Sequence, residues 1–577
     1  MKDGISNTSS SSADDPEGTA IVASIADKLA ALKRRNQRWR SLKPARKQEV
    51  VALNGDRGSL YDYLGGVLAI GLESPCRTLR FYKIPSTDGP TEVFSRMFSP
   101  GWTIKDFTMD PSQDLLVLIQ VYTPSFNGRP LIPRRLSYRL HFFNLTSFAP
   151  HPEAKEHVVD WPFTLVESRI RVSPFVSVMD SNVMLDAQSR FRDRAQGGAV
   201  IWNWRTGVIV SSLPTSNEDS IQSVAFIGPD LLLTAVCNTS DEAASMELYT
   251  FNSAHQPPAN EPNPEAPQPI RLAVFELPQM EQPPEIMSIR LDPAPAVGDV
   301  VPPFSEGPGR TPMFQADGAE RLVVLDLLYN TGERYTLFTL KSTILRALRH
   351  HPPLHIIHEN AAAERNLSTR LDGSASLKTV APGDELRSDD DGWVDDETVS
   401  PVDYPWEDWS AKARLLHRIP QPDSWVLYVY HLSFVHSVLH FNTTHEEDED
   451  HSVGISARVL DFSPFSVARL KSQGALGHTS SKTIFTDGTD IQVVEERADG
   501  DVGRLISKPT VCEAGSVWSQ PVWSGHALPY VERSSDIEMQ QTSLDDDRLS
   551  GLCIDEQRLL WVKRNPNGNL VLDVRFF

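Results

Sequence analysis

The chain has 577 residues, of which 40% are hydrophobic and 23% charged, a composition typical of a globular protein with several domains or one repetitive assembly. It carries 55 Lys and Arg against 76 Asp and Glu, so its formal charge of −21 disfavours a nucleic-acid-binding function. The four cysteines form no C-x-x-C pair, and no apolar run approaches the ~18 residues that span a bilayer, so we expect a reduced protein of the cytoplasm or nucleus, without membrane attachment.

The first 50 residues divide into a polar tail and a basic helix. Residues 1–19 are rich in Ser, Asp, Gly and Asn, which predicts a disordered tail. Over residues 20–43, apolar side chains recur at helical spacing, so we predict an amphipathic helix that ends before Pro44. A basic stretch covers the helix and the residues just after Pro44; it is typical of a solvated face, and the alternative is a nuclear import signal or a phosphate-contacting patch. The basic residues are Lys28, Lys33, Arg34, Arg35, Arg38, Arg40, Lys43, Arg46 and Lys47.

From residue 50 to residue 577, short segments that alternate apolar and polar residues replace the helical pattern, as is typical of β-strands. The clearest copies begin about 47 to 75 residues apart and are followed by turn-forming residues. This spacing suits blades of four strands, so we predict an all-β chain folded as a WD-repeat-like β-propeller of about seven blades. Two β-sandwiches are the alternative, which the lack of a linker between two β domains disfavours. The segments are 77–84, 137–144, 199–207, 246–252 and 321–328.

Three segments rich in Pro, Gly, Asn or Asp interrupt the strands at 255–269, 292–311 and 372–404. Such segments bury too little apolar surface to fold alone, so we predict disordered insertions at the rims of blades. The last of them carries an acidic cluster at 389–391 that does not have the spacing of a calcium-binding loop.

The sequence contains no signature of catalysis. It has no Gly-x-Ser-x-Gly elbow, no Ser-x-Asp-x-Gly-x-Thr-Trp box, no phosphate-binding loop and no His-Glu-x-x-His pair. Carboxylates that only folding brings together would escape such a search, so a hydrolase with a carboxylate pair in the propeller channel remains the least favoured alternative. We therefore predict a protein that is not an enzyme, with no catalytic residues and no cofactor.

Two groups of histidines could suggest a metal site. His350, His351, His355 and His358 lie around two prolines that would break the helix on which two imidazoles share an ion. The second group frames an acidic run at 446–450 that lacks the Gly and the terminal Glu of an EF-hand loop. We interpret both groups as polar connections and predict no metal site. The second group comprises His431, His436, His440, His445 and His451.

Five tryptophans could form a ligand-binding patch. In a β-rich chain they are more typical of blade cores, because a buried Trp covers a large area between stacked sheets. They are Trp202, Trp204, Trp406, Trp409 and Trp425.

Eight short segments, spread in order along the chain, form a recognisable set. They are NQRWRSL at 36–42, YLGGV at 63–67, DFTMDPSQDLL at 106–116, IWNWRTG at 201–207, PWEDW at 405–409, VLDFSPF at 459–465, LPYV at 528–531 and DDDRL at 545–549. Together they resemble a large group of basidiomycete fungal proteins in which an N-terminal F-box precedes a WD-repeat-like propeller.

The resemblance implies a substrate-recognition subunit of an SCF-type ubiquitin ligase, in which the F-box binds a Skp-type adaptor that leads to a cullin and the propeller holds the target protein. Residues 1–19 lack the Leu-Pro-led helical sequence of an F-box, so we expect a member of the group without that segment. A propeller scaffold independent of ubiquitin is the main alternative. In either case, specificity would come from a few buried aromatic or Arg anchors on the propeller face.

Overall fold

The alternating segments form strands that assemble into seven main sheets, and the innermost strands of neighbouring sheets contact one another in chain order. This arrangement is a β-propeller of seven blades, as the sequence predicts. The structure is a computed structural model. It describes residues 24–51, 60–85, 94–123, 125–126, 129–130, 135–166, 174–191, 194–214, 219–238, 243–252, 267–291, 320–351, 357, 400–417, 429–441, 453–475, 481–486, 489–494, 503–515, 517–541, 549–555, 557–564 and 570–577.

In each blade, four antiparallel strands follow one another from the innermost to the outermost. Blade 1 contains β2 (Tyr61–Leu64), β3 (Val67–Gly71), β4 (Leu79–Lys83) and β5 (Phe94–Phe98); blade 2 contains β6 (Ile104–Asp110), β7 (Leu115–Tyr122), β10 (Arg135–Asn144) and β11 (Val158–Asp160); blade 3 contains β13 (Phe175–Met179), β14 (Asn182–Phe191), β15 (Arg194–Asn203) and β16 (Val208–Pro214). Blade 4 contains β17 (Asp219–Gly228), β18 (Leu231–Asn238), β19 (Ala243–Thr250) and β20 (Ile270–Glu276); blade 5 contains β21 (Ile286–Leu291), β22 (Leu322–Leu328), β23 (Arg334–Leu340) and β25 (Ala413–His417). Blade 6 contains β26 (Val429–Tyr430), β27 (Ser433–Phe441), β28 (Val453–Asp461) and β34 (Tyr530–Gln541); blade 7 contains β35 (Leu549–Ile554), β36 (Arg558–Arg564), β37 (Leu570–Phe576) and β1 (Arg46–Val51).

Further elements extend or decorate the blades. In blade 4, β24 (Val402–Tyr404) pairs in parallel with β20; in blade 6, β31 (Gly503–Ile506), β30 (Thr489–Val494) and β29 (Ser481–Thr486) continue the sheet beyond β34. Short strands β8 (Ser125–Phe126) and β9 (Arg129–Pro130) pair with each other, as do β32 (Thr510–Cys512) and β33 (Val522–Ser524), and β12 (Leu165–Val166) joins β10. The helices are α1 (Ile25–Ser41), α2 (Lys341–Leu345), α3 (Trp406–Trp409) and α4 (Pro464–Ala475), with 3₁₀ turns at Arg346–His350 and Ser410–Lys412. None of the described helices has the length and apolar character needed to cross a bilayer.

The repeated sequence pattern marks the same strand in four consecutive blades. The segments 77–84, 137–144, 199–207 and 246–252 overlap the third strands β4, β10, β15 and β19. The fifth segment, at 321–328, contains β22, which is the second strand of blade 5. The alternating pattern therefore reflects a real structural repeat. In blade 5, which a long insertion interrupts, the recognised segment is the second strand instead of the third.

Helix α1 forms where the sequence predicts it and ends on the propeller. It begins with a capping box in which the Ser24 hydroxyl accepts from the Asp27 amide at 3.1 Å and the Asp27 carboxylate accepts from the Ser24 amide at 3.2 Å. It ends at Ser41, and Leu42 follows in the left-handed conformation. The Trp39 ring stacks on Phe577 with 4.1 Å between centroids, so the end of α1 is fixed against blade 7.

The ring closes by pairing the two ends of the chain. Strand β1 lies antiparallel to β37, with Arg46 opposite Phe576 and Val51 opposite Val571. The Arg46 guanidinium also lies over the Phe576 ring, 4.1 Å from its centroid. The first strand of the chain thus becomes the outermost strand of the last blade, and this pairing closes the ring.

A buried polar cluster, which we call the seam cluster, joins blade 7 to blade 1. It consists of Tyr63 on β2 and Asp555 and Arg558 around the turn between β35 and β36. The Asp555 carboxylate accepts from the Tyr63 hydroxyl and from Arg558 Nη1, and Arg558 Nε donates to the Pro85 carbonyl at 2.8 Å. Burial alone would lower the pKa of Arg558, but the Asp555 carboxylate and Tyr63 raise this pKa above its usual value. The seam cluster is therefore a fully paired ionic contact inside the ring.

Two of the predicted boundaries differ from the structure. The propeller begins at Arg46 rather than near residue 50, because β1 belongs to blade 7. The segment 372–404 was predicted to be disordered, but its end forms strand β24, which pairs with β20. A strand of three residues is too short to show an alternating pattern in the sequence. At the end of the segment 255–269, the Pro267 carbonyl accepts from the Ser212 amide at 3.0 Å. The predicted tail 1–19 and the insertion 292–311 lie outside the described residues.

Candidate functional site

An open groove of about 860 Å³ lies on the outer part of blade 4. Its floor is one face of β19, β20 and β24, where Glu247 lies opposite Val274 and Val274 lies opposite Asp403. The inner part of the same face packs against blade 3, in a core that contains Val236. The outer strands extend beyond that contact, so their polar residues face the groove.

One wall of the groove is α3, which its two tryptophans hold in place. The Trp409 indole donates to the Glu276 carbonyl at 3.0 Å, and the Trp406 and Trp409 rings meet edge to face at 5.1 Å. Beside them, Tyr404 of β24 stacks on Phe275 of β20 with 5.1 Å between centroids. These contacts make the wall a rigid part of blade 4.

The opposite wall comes from residues 517–523, which lead into β33. The Glu281 amide donates to the Val517 carbonyl at 2.9 Å, and the Ser519 hydroxyl donates to the Gln279 carbonyl at 3.2 Å. Because residues around 280 follow β20 directly, this wall is tied to the same blade as the floor.

The hairpin of β32 and β33 is anchored by Arg414, a fully buried residue of blade 5. Its guanidinium donates to the carbonyls of Leu528 at 2.8 Å and Gly525 at 2.5 Å, and to the Thr510 hydroxyl at 2.9 Å. Burial lowers the pKa of Arg414 from its usual value, and the hydrogen bonds to oxygen atoms compensate for the lost water. This anchor fixes the hairpin that carries the second wall.

The groove is acidic. Four carboxylates and one guanidinium line it, which gives a formal charge of −3. Buried Glu247 is neutralised by Arg271, whose Nη1 lies 3.1 Å from its carboxylate, and it also accepts from the Tyr249 hydroxyl at 2.5 Å. The other three carboxylates are exposed, and no described residue donates a hydrogen bond or ion pair to them. They belong to Glu276, Asp403 and Glu407.

An exposed tryptophan completes the groove. Trp523 on β33 is 59% exposed, whereas its neighbours Val522 and Ser524 are buried, so the alternation of the strand turns the indole ring outward. Within the described part of the chain, no aromatic ring or cation stacks on Trp523. A large exposed aromatic surface beside unpaired carboxylates is suited to a positively charged group.

Two further carboxyl groups, Asp62 on β2 and Asp106 on β6, lie beside the central channel on the innermost strands of blades 1 and 2. Asp62 accepts from the Thr108 hydroxyl at 3.3 Å, and burial raises the pKa of Asp62 to about 6. Burial, together with the neighbouring charge of Asp62, raises the pKa of Asp106 to about 7. Burial therefore raises the pKa of both carboxyls towards neutral pH.

The structure separates the histidines that the sequence groups together. His350 ends the 3₁₀ turn after α2 and His351 follows it, while His355 and His358 lie outside the described residues. In the second group, His431 forms the turn before β27 and His436 is buried in β27; the side chain of His440 and the whole of His445, His451 and the acidic runs at 446–450 and 389–391 are not described. In the described ranges, no three His, Cys, Asp or Glu side chains lie close enough to hold a metal ion.

The tryptophans divide between the core and the groove. Trp202 and Trp204 are fully buried in the core shared by blades 2 and 3, as predicted. Trp406 and Trp409 are also buried, but they lie on α3 rather than in a blade strand. Trp425 lies outside the described residues.

Sequence reasoning missed the groove itself. Its exposed groups come from parts of the chain that are far apart, and only folding brings Glu276, Asp403 and Trp523 together. The one available signal was the segment 405–409, in which two adjacent acidic residues lie between two tryptophans.

No protein-family model matches the sequence, and no curated protein is significantly similar to it. Among solved structures, the chain is similar to the β-propeller domain of Nup133 from Vanderwaltozyma polyspora. The sequence identity is 7% and the TM-score 0.31, and the match covers 93% of this chain and 99% of that chain. The order and pairing of the seven sheets themselves identify the propeller.

Proposed function

We propose that the protein is a non-enzymatic interaction scaffold that holds a partner protein in the groove on blade 4. The observation that carries the proposal is the exposed Trp523 beside three carboxylates without a described partner, on walls that hydrogen bonds fix to blades 4 and 5. Exposed aromatic surface is characteristic of protein-binding sites, and a rigid frame lowers the entropic cost of binding.

The resemblance to F-box proteins supports a more specific form of this proposal. In that form, the propeller selects a target for an SCF-type ubiquitin ligase and has a Skp-type adaptor and a cullin among its partners. The competing form is a scaffold that works without ubiquitin transfer. The two forms share the groove and differ in the proteins that accompany the chain.

Affinity purification of the tagged full chain from its native cells, with the proteasome blocked, tests the proposal. The matched variant is Trp523→Ala, which removes the exposed ring and leaves the buried core intact. We expect a set of proteins that the native chain retains and the variant loses. Recovery of a Skp-type adaptor and a cullin would support the ligase form, and their absence from an otherwise stable set would support the independent scaffold. Identical protein sets from the two chains would contradict the docking function of the groove.

A further inference from the structure

Resting on the proposed function, we infer that the groove on blade 4 binds an extended segment of a partner protein that carries several arginines. The charge of the groove gives the first reason. Its formal charge is −3, and its three exposed carboxylates receive no hydrogen bond or ion pair from the described residues. A positively charged segment complements this surface, whereas a phosphorylated peptide or a nucleic acid would be repelled.

The aromatic ring gives the reason for arginine. A guanidinium is planar and weakly hydrated, so it stacks on an indole face and donates two parallel hydrogen bonds to a carboxylate at the same time. Trp523 offers the indole face, and Asp403 and Glu407 offer carboxylates within the same groove. A lysine ammonium would satisfy the charge but not the planar stacking.

The shape of the groove favours an extended chain over a small cation. The groove is open along the outer part of three strands, and its volume of about 860 Å³ is large for a single side chain. Strand β24 is the outermost strand of its sheet, and no described strand pairs with its other edge. The apolar residues Val274, Pro278 and Pro521 also line the groove and can contact the methylene stems of long basic side chains.

The basic helix of the same chain is not the occupant. The stacking of Trp39 on Phe577 fixes the end of α1 against blade 7, whereas the groove lies on blade 4. Blades 5 and 6 separate the two sites on one side of the ring, and blades 1 to 3 separate them on the other. The geometry therefore excludes α1, and the proposal assigns the groove to a segment of another protein.

The test uses the full chain and a fluorescein-labelled peptide of about ten residues, an extended length of about 33 Å, in which three arginines alternate with small apolar residues. Two control peptides replace the arginines with lysine or with glutamate. Fluorescence anisotropy measures binding at low salt. We expect the arginine peptide to bind about threefold or more tightly than the lysine peptide, and no binding of the glutamate peptide.

Variants of the protein locate the binding. The combined change Glu276→Gln, Asp403→Asn and Glu407→Gln keeps the side-chain shapes and removes the charge, and we expect affinity to fall about tenfold or more. Trp523→Ala should weaken binding about threefold to tenfold. Asp408→Asn is the matched control, because this exposed residue belongs to the same short helix and does not line the groove. It should change affinity less than about twofold.

Several results would overturn the inference. Equal affinity for the arginine and glutamate peptides would refute it, as would an equal loss from Asp408→Asn and from the triple variant. A concentration-dependent dimer that the triple variant abolishes would assign the groove to a second copy of the chain. If no peptide binds but Trp523→Ala still removes partners from the purified complex, the arginine inference fails and the scaffold function stands.

Discussion

The carboxylates of the seam cluster and those of the groove on blade 4 differ in the hydrogen bonds that they accept from the protein. In the seam cluster, Asp555 accepts from a tyrosine, from an arginine and from the amides of Gln557 and Arg558 at 2.7 Å each. In the groove, Asp403 and its two exposed neighbours face open space without a described partner. A carboxylate whose hydrogen bonds are all used inside the protein contributes to the architecture, whereas one held rigidly with unused acceptors is available to another molecule. The comparison therefore distinguishes the residues that close the ring from those that can bind.

The largest effect should follow from breaking the seam cluster. Arg558→Met keeps the length of the side chain but leaves the carboxylate of Asp555 buried without its cation. We expect the free energy of unfolding to fall by about 3–5 kcal/mol, measured by urea titration with tryptophan fluorescence. The control is Arg139→Met, which breaks an exposed pair with Asp160 whose side chains are 40% and 57% accessible, and it should cost less than about 1 kcal/mol. If the two variants lost the same free energy of unfolding, burial would not determine how much the seam contact stabilises the protein.

A methyl group placed against the same arginine should have a smaller effect. Gly66 has φ +77°, and a Cβ atom there would lie 2.8 Å from Arg558 Nη1. Gly332 has a similar φ of +79° with nothing within 4 Å of its Cβ position. Gly66→Ala should therefore lower the free energy of unfolding by about 1–3 kcal/mol, and Gly332→Ala by about 1 kcal/mol from backbone strain alone. The difference in the free energy of unfolding between the two variants measures the steric clash between the new methyl group and Arg558. A difference of zero would mean that Arg558 can move to avoid this clash.

The channel carboxyls predict a dependence on pH. The pKa of Asp106 is about 7 in the folded protein and near 4 in an unfolded chain, so the folded state binds more protons between these values and becomes less stable as the pH rises through them. Asp106→Asn removes the titrating group. We expect the variant to exceed the native protein in stability by about 1–3 kcal/mol at pH 8 and to match it more closely at pH 4. Denaturant titrations across this range check the sign, and a native protein that gains stability from pH 4 to pH 7 relative to the variant would contradict it.

The smallest effect on stability should come from the groove. Trp523 is 59% exposed, so Trp523→Ala should change the free energy of unfolding by no more than about 0.5 kcal/mol. The same variant is expected to lose binding partners. A loss of stability comparable to that of Arg558→Met would mean that the ring of Trp523 serves the fold rather than recognition.

The segments that support the family resemblance belong to the turns and contacts that shape the blades. In YLGGV at 63–67, Gly65 and Gly66 form a left-handed turn beside the seam tyrosine. In DFTMDPSQDLL at 106–116, the Asp110 carboxylate accepts from the Ser112 amide at 2.9 Å. In VLDFSPF at 459–465, Asp461 accepts from the Ser463 amide at 2.9 Å and from Arg533 at 2.7 Å. These segments describe how a blade is built, so they predict the propeller better than they predict its partner.

The sequence predicted the parts of the molecule that local patterns determine. Strand alternation and helical spacing are properties of neighbouring residues, and they sufficed for the propeller and α1. The pairing of β1 with β37 and the parallel strand β24 depend on contacts between distant residues, and neither leaves a local pattern. The groove is even harder to predict from the sequence, because Glu276, Asp403 and Trp523 line the same groove only when a small helix and a hairpin fold onto blade 4.

The pairing of β1 with β37 also sets an order of events during synthesis. Val51 and its partner Val571 are separated by about 520 residues, and at about 5–20 residues per second the ribosome needs roughly half a minute to two minutes to make that stretch. During this time β1 has no partner, and its edge is open to pairing with other chains. The strand carries charged residues at Arg46, Lys47 and Glu49. These charges oppose pairing with other chains until β37 has been synthesised.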